Sequence, residues 1–348
     1  MRLAQHSRVN ESNAPWDSER RALLSRRISE LGLTIRGSLV ERLTVQLYAE
    51  LDAHGVHFKP PVYLSDQWGC PDGVPLIGVP FYLADPRLAR IEEEESVEVE
   101  GELDVMQYLR HEAGHAINYA YRLHDRADWP KVFGPYARPY RERYRVNPFS
   151  REHVRHILGW YAQKHPDEDF AETFAVWLTP GLDWRTEYAG WPALRKLEYV
   201  DRLMREIGDD VPEVPAPSPD DLPVESMHYT VAEHYRAYEE RIPIDDERHF
   251  DGDLRTLFAA AVDAPDGERA DDYLQRHRNE IVASVAYWTG EPVAIVRQFV
   301  DFLADRATVL DLRVRGLPDA ALIELTAFVA AVMMNYRYTN DFDAIPDN

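Results

Sequence analysis

The sequence is poor in cysteine, in lysine and in long apolar runs, and each shortage excludes something. Its one cysteine, Cys70, rules out a disulfide within the chain and is typical of a reducing compartment. Only four of the 39 basic residues are lysine, and a net charge of −22 argues against nucleic acid or an anionic membrane as the main partner. The longest apolar run, around Phe328–Met334, is too short to cross a bilayer, and the amino-terminal residues lack a secretion signal. We therefore expect a cytoplasmic protein.

The pattern His-Glu-x-x-His lies near residue 110 and consists of His111, Glu112 and His115. On a helix, two histidines four residues apart lie on one face, one turn apart, which suits a pair of zinc ligands. The glutamate between them is close enough to accept a proton from a zinc-bound water. The pattern therefore predicts two metal ligands and a general base.

The surrounding sequence predicts that this pattern lies inside a helix from about Asp104 to about Leu123. Asp104 and Gln107 have the spacing of an N-cap and its capping-box partner. Gly114 would cost about 1 kcal/mol of helix stability relative to alanine, so we expect it to let another backbone approach closely. The alternative is a buried helix with two hydrogen-bonded histidines, although an apolar face seldom carries such a group.

A third ligand is expected from a second helix, whose first turn Pro166 marks. Glu168 and Glu172 are four residues apart on this helix and share one of its faces. One of them can bind the metal, while the other accepts a hydrogen bond from a ligating histidine. An exposed acidic first turn, favourable to the helix dipole, is the alternative.

The segment from Leu109 to Leu178 resembles zinc peptidases related to anthrax lethal factor and the bacterial proline-specific endopeptidases. The resemblance lies in the block Glu-Asp-Phe-Ala-Glu-Thr-Phe that begins at Glu168, with Tyr161 seven residues ahead of it. A group of bacterial zinc-binding metallopeptidases has a similar helix. These are gluzincin-type sites, and the resemblance implies that Glu168 binds zinc and that Glu172 sits behind the site. It also implies that Tyr161 assists the reaction, as a donor to the developing oxyanion.

Other assignments of the site are weaker. A metzincin would need a glycine where this chain has Asn118 and a histidine where it has Tyr121. Tyr161 can also be read as a packed aromatic residue beside Trp160. The remaining histidines that could contact substrate or replace a ligand are each expected to be structural: His153, His156, His165, His228 and His234.

The segments before and after the first motif predict a small sheet and two loops. Two β-like runs, Pro61–Ser65 and Pro75–Leu83, suggest strands, and Pro80 suits an edge strand because it removes a ladder donor. Such an edge could hold an extended peptide by strand addition, or could bind nothing. The acidic run Ile91–Glu102 predicts a solvated loop or hairpin, and the aromatic run Trp129–Arg151 predicts a long ordered loop.

Composition divides the chain into four parts. They are a flexible arm at 1–16, a part at 17–210 that contains both motifs, a Pro-rich linker at 211–225 and an acidic helical domain at 226–348. The resemblance implies that the part at 17–210 is a zincin-like catalytic domain. Periodicity in the last part predicts helices at Thr230–Arg241, Asp253–Val262, Ala270–Thr289, Val293–Arg313 and Asp319–Tyr338. The expected fold class is α+β and mostly helical, with a small edge sheet in the catalytic domain.

Together these features predict a zinc-dependent peptidase that acts on a peptide or protein substrate. His111, His115 and Glu168 would hold Zn²⁺, Glu112 would act as the base and Tyr161 would steady the oxyanion. Two alternatives stay open. One is a metal-binding regulatory or interaction protein without useful peptidase activity, and the other is a zinc hydrolase of a non-protein amide, since the same water chemistry serves any amide.

Overall fold

Helices make up most of the protein, and two small two-stranded sheets complete it, as the sequence predicts for a mostly helical α+β chain. The computed structural model describes residues 14–95, 101–141, 144–208, 210–215, 223–237, 244 and 248–342. Contacts within the chain divide it into two units. The first is formed by residues 1–141, 151–156 and 164–239, and the second by residues 142–150, 157–163 and 240–348. Residues 216–222 of the predicted linker lie outside the described part, and the predicted domain bounds stay a prediction.

The first unit carries both sequence motifs. Its elements, in chain order, are α1 (Ala14–Leu24), α2 (Leu39–Ala53), β1 (Val62–Ser65), β2 (Ile77–Pro80), α3 (Pro86–Glu95), α4 (Glu102–Ala120), α5 (Pro166–Leu178), α6 (Trp184–Glu187), α7 (Leu194–Ile207) and α8 (Val231–Ala237). Helix α1 includes three residues of the predicted arm, and the rest of that arm lies outside the described residues. Helix α3 replaces the first part of the predicted acidic loop, and residues 96–100 also lie outside the described part.

Helix α2 fixes helix α4 from one side. Ser38 caps α2 by accepting a hydrogen bond from the Glu41 backbone N–H at 3.4 Å. Near the other end of α2, the carboxylate of Glu50 accepts two hydrogen bonds from Arg110 of α4, at 2.8 and 2.9 Å. Both side chains are almost fully buried, so this two-pronged ion pair sets the position of α4 one residue before the histidine pair.

Strands β1 and β2 pair in parallel, with Tyr63 opposite Gly78. On its other edge, Gly78 exchanges both backbone hydrogen bonds with Gly69, at 2.7 and 3.3 Å. Pro80, the next residue facing that edge, has no N–H to offer. The outer edge of β2 is therefore partly occupied, at Gly78, and the hypothesis that it binds an extended peptide stays a prediction. The strand also ends at Pro80 because residues Phe81–Ala84 form a 3-10 helix.

Between α4 and α5 the chain contains little regular structure. Two 3-10 helices cover Leu123–Asp125 and Trp129–Lys131, and the rest of the described residues up to Tyr140 form turns and irregular backbone. The aromatic side chains of Trp129 and Phe133 are buried, so the segment is packed onto the unit as the composition predicts. Residues 142 and 143 lie outside the described part.

The second unit is a helical body with its own core. Its elements are α9 (Asp251–Leu257), β3 (Ala259–Ala260), α10 (Ala270–Thr289), α11 (Val293–Val309), β4 (Leu312–Arg313) and α12 (Pro318–Thr339), and β3 pairs antiparallel with β4. Helix α10 has the predicted bounds. The helix predicted at Val293–Arg313 is shorter, because Asp311 adopts a positive φ of 51° and the chain then enters β4.

Helix α12 corrects one expectation from the sequence. It is long and apolar enough to cross a membrane by length and composition alone, with a mean hydropathy of 1.3 over its 18-residue window, of which 28% is buried. The apolar run Phe328–Met334 is shorter than the apolar part of the helix, because single polar residues interrupt the apolar sequence on either side of the run. One face of α12 packs into the core of the second unit through Ala321, Leu325, Val329, Met333 and Tyr336.

Helices α4 and α5 come into backbone contact at Gly114. A Cβ atom built on Gly114 would lie 2.8 Å from Ala171 Cα and 3.1 Å from the Ala171 carbonyl oxygen. No side chain fits at such distances, so glycine is required where the two helices cross. The expectation that Gly114 permits a close backbone approach is confirmed.

We therefore expect Gly114→Ala to separate α4 from α5. The gain in helix propensity should be outweighed by overpacking, so the free energy of unfolding should fall by about 1–3 kcal/mol in urea denaturation. Gly252→Ala is the control, because a Cβ at Gly252 in α9 would meet no atom within 4 Å. Equal stability of the two variants would contradict the assigned role of Gly114.

Candidate metal centre

The two histidines lie in the middle of a helix with a well-defined start. Helix α4 begins at Glu102, and the carboxylate of Asp104 in its first turn accepts a hydrogen bond from the Gly101 backbone N–H at 2.9 Å. The prediction that Asp104 is the N-cap is therefore wrong by three positions, because Gly101 occupies the cap. His111, Glu112 and His115 remain two or more turns from that end, where the backbone is rigid.

Helix α5 is started by Pro166 and by the side chain of His165. His165 Nδ1 accepts a hydrogen bond from the Asp167 backbone N–H at 3.1 Å, while Nε2–H donates to the Arg138 carbonyl oxygen at 2.7 Å. His165 is thus the N-cap of α5 and a link to the preceding loop. Both ring nitrogens are engaged, so its role is structural, as the sequence led us to expect.

Three side chains from the two helices meet at one point. His111 Nε2, His115 Nε2 and Glu168 Oε2 lie 3.1 Å from one another in each of the three pairs. All three residues are buried, and the group could hold a metal ion. A tetrahedral cation with bonds of about 2.0–2.1 Å needs ligand atoms about 3.3 Å apart, so a small shift of side chains completes the fit.

A second carboxylate orients each imidazole. His111 Nδ1 donates to Glu172 Oε1 at 2.9 Å, and His115 Nδ1 donates to Asp167 Oδ2 at 3.0 Å. With the proton on Nδ1, the Nε2 lone pair of each neutral ring points to the shared centre. Two nitrogen lone pairs and one carboxylate oxygen then face one another, an arrangement that a cation stabilises.

The pKa values of His111 and Glu168 reflect the charges around the three ligand atoms. Burial alone would lower the pKa of His111, but its hydrogen bonds with Glu168 and Glu172 raise it to about 9. Burial would raise the pKa of Glu168, yet the charges and hydrogen bonds of His115 and His111 hold it well below its usual value. The centre therefore favours bound positive charge.

Asp167 is the residue that sequence reasoning missed. Besides His115, it accepts hydrogen bonds from Asn118 Nδ2 at 2.7 Å and from the Tyr119 hydroxyl at 2.6 Å. Burial would raise its pKa, but His115 outweighs that effect and lowers it, so Asp167 is a carboxylate. One signal was present in the sequence, since Asn118 and Tyr119 follow His115 by three and four residues and so share its face of α4.

Glu112 lies on α4 between the two histidines and is buried. Within the described part of the chain its carboxylate makes no hydrogen bond, in contrast to the carboxylates of α5 around it. Burial raises its pKa, and the charges of His111 and His115 partly oppose this. A buried carboxylate with a raised pKa and no hydrogen-bond partner is available to take up a proton.

The two tyrosines near the motifs have different positions. Tyr161 belongs to a 3-10 helix, Tyr161–Gln163, which is part of the second unit. Its catalytic role stays a prediction. Tyr140, which the sequence did not single out, donates a hydrogen bond from its hydroxyl to Glu168 Oε1 at 2.5 Å.

The other candidate histidines do not join the group. His156 Nε2 donates to the Gln107 carbonyl oxygen at 3.1 Å, and His153 lies 3.9 Å from the Asp169 carboxylate. His228 contacts the Ser29 hydroxyl at 3.3 Å, and His234 packs against aromatic rings, where burial lowers its pKa to about 4. The contacts of each of these histidines are those of a structural residue.

We expect Asp167→Asn to weaken metal binding. The variant keeps the shape of the side chain but removes the charge that orients His115, so the affinity should fall about 10–100-fold in a chelator competition titration. Asp128→Asn is the control, because the Asp128 carboxylate accepts from Tyr199 at 3.0 Å and touches none of the three candidate ligands. Unchanged affinity in Asp167→Asn would show that this carboxylate does not support the site.

Comparison with other proteins adds no family to this description: no family model, no curated protein and no solved structure matches the chain.

Proposed function

We propose that this chain is a zinc-dependent peptidase whose catalytic centre is the group formed by α4 and α5 in a zincin-like first unit. One observation carries the proposal. Three mutually adjacent ligand atoms converge beside a buried carboxylate that has no hydrogen bond, all within two rigid helices. Two imidazoles and one carboxylate are the ligand set of catalytic zinc sites, which keep a fourth position open.

His111, His115 and Glu168 would hold the zinc ion. When bound, zinc supplies a Lewis acid that polarises a substrate carbonyl and makes a water molecule more acidic. Glu172 and Asp167 keep the two imidazoles in the tautomer that presents Nε2. The chain thus contributes the ligands, their orientation and a buried environment of low polarity.

Glu112 would move the proton. As a carboxylate it accepts a proton from the attacking water, and as a carboxylic acid it donates that proton to the leaving amine nitrogen. Burial raises the pKa of Glu112, which favours uptake of the proton in the first step and storage until the second. No other group has to rearrange between the steps.

A metal-binding protein without activity is the competing proposal. Such a protein would need the three ligands but would gain nothing from a buried, unbonded carboxylate at position 112, where an apolar residue would cost less. A hydrolase of a non-protein amide would use the same groups, and the choice of substrates in the assay separates it from a peptidase.

Metal content and hydrolysis test the proposal together. The purified full chain should contain about one zinc ion at His₂Glu ligation, should cleave members of a peptide library, and should lose that activity with a chelator and regain it with added zinc. A chain that binds no divalent metal would exclude the proposal. Bound zinc with cleavage only of non-peptide amides would select the alternative substrate class.

Glu112→Gln should keep zinc and lose hydrolysis. Because general acid–base catalysis by such a group contributes about 10²–10⁴-fold, kcat/KM should fall by that factor while metal content stays the same. Glu102→Gln, at the exposed start of the same helix, is the control, since Glu102 pairs with Arg42 and not with the centre. Wild-type activity in Glu112→Gln would remove Glu112 from the mechanism.

A further inference from the structure

Glu168 divides its two carboxylate oxygens between different partners. Oε2 lies 3.1 Å from Nε2 of His111 and 3.1 Å from Nε2 of His115, so it belongs to the ligand group. Oε1 accepts the hydrogen bond from the Tyr140 hydroxyl at 2.5 Å. A phenol–carboxylate hydrogen bond of this length is charge-assisted and among the stronger ones in proteins.

Tyr140 is anchored to the start of the helix that carries Glu168. The Lys164 ammonium group lies 4.4 Å from the centre of the Tyr140 ring, and the His165 ring lies 5.4 Å from it. His165 also holds the Arg138 carbonyl oxygen, two residues before Tyr140, at 2.7 Å. Because His165 also caps α5, the loop and the start of the helix are linked at this point.

Tyr140 also lies on the solvent side of the ligand. Its side chain is 48% exposed, whereas Glu168 is 4% exposed. The hydroxyl therefore reaches inward from the surface to the oxygen of Glu168 that is turned away from the histidines. Sequence separation hides this contact, since the two residues are 28 positions apart in the chain.

The contact bears on how Glu168 can bind a metal. A carboxylate can bind a cation through one oxygen or through both, and binding through both adds a ligand that crowds the position a catalytic zinc site keeps open for water. An oxygen that accepts a strong hydrogen bond is a poorer metal ligand, because one of its lone pairs is engaged and it has less electron density to give. A donor fixed on Oε1 therefore favours binding through Oε2 alone.

We propose that Tyr140 is a positioning residue that restricts Glu168 to one-oxygen ligation and so keeps the fourth coordination position free for water. The proposal rests on the metal site described above. This role differs from the oxyanion contact predicted for Tyr161, because Tyr140 acts on a metal ligand before any substrate binds.

Cobalt substitution tests this directly, because the visible bands of Co²⁺ depend on its coordination number. The full chain loaded with Co²⁺ should show the intense bands of a four-coordinate ion. Tyr140→Phe removes only the hydroxyl, so Oε1 becomes free to bind as a fifth ligand beside the water, and the bands should become weaker and shift to shorter wavelength, as for a five-coordinate ion. Its kcat should fall, because a metal ion with an additional anionic ligand makes its bound water less acidic.

Tyr48→Phe is the control. Tyr48 lies on α2, and its hydroxyl donates to the Pro60 carbonyl oxygen at 2.6 Å, not to a candidate ligand or to a carboxylate that orients one. Its cobalt spectrum should match that of the unaltered chain. Circular dichroism of each variant checks that the helices are intact.

The outcomes separate the two proposals. If the unaltered chain binds no Co²⁺ or Zn²⁺, the metal site itself fails. If it binds Co²⁺ and the spectrum of Tyr140→Phe is identical to that of the unaltered chain, the metal site stands and the role of Tyr140 is excluded. If a folded Tyr140→Phe loses Co²⁺ binding altogether, the hydroxyl serves affinity and not the mode of ligation, which also overturns the inference.

Discussion

The backbone contact between Gly114 and Ala171 is the constraint on which the candidate site depends. It lets α4 and α5 approach until a side-chain atom at Gly114 would have no room. Ligand atoms that must lie about 3.3 Å apart for a tetrahedral cation need supports placed to within a fraction of an ångström. The two helices provide such supports, because each helix packs against other elements on two sides and none of the three ligands is carried by a loop. Two further contacts hold the helices close to the ligands. They are the ion pair of Arg110 in α4 with Glu50, and the hydrogen bond by which His165 caps α5.

The two helices divide the chemistry between them. Helix α4 provides both imidazoles and the candidate base, while α5 provides the third ligand and both carboxylates that orient the imidazoles, Asp167 and Glu172. Several carboxylates thus surround two imidazoles in a buried volume; burial would lower the pKa of both rings, but these carboxylates raise that of His111 to about 9 and that of His115 well above its usual value. Burying unpaired charge is costly, and protons on the imidazoles or a bound divalent cation would remove much of that cost. Binding of a metal ion at this group would therefore be coupled to the packing of α5 against α4.

Local sequence patterns predicted those features that depend on neighbours along one helix. The spacing of His111 and His115, the start of α5 at Pro166 and the need for glycine at position 114 are of this kind, and each is found in the structure. Contacts between distant segments were not predictable in the same way. The bond from Tyr140 to Glu168 links positions whose spacing follows no period, and the pairing of Gly69 with Gly78 depends on how a loop folds back. The acidic run was expected to form a loop because of its composition, but its first residues, 91–95, belong to α3, whose amphipathic spacing favours a helix.

The carboxylate of Glu112 differs from its neighbours in a way that favours a chemical role over a structural one. The other buried carboxylates in the described part of the chain each have a hydrogen bond or an ion pair: Glu50, Asp167, Glu168, Asp169, Glu172, Asp251 and Glu291. A structural acid at position 112 would be expected to have a partner of the same kind. The Glu112 oxygens are not among the fully buried side-chain atoms that lack a partner in the described part of the chain, so solvent can reach them. A carboxylate that has a raised pKa and is reached by solvent can exchange a proton, which supports the proposed role of Glu112 over a purely structural one.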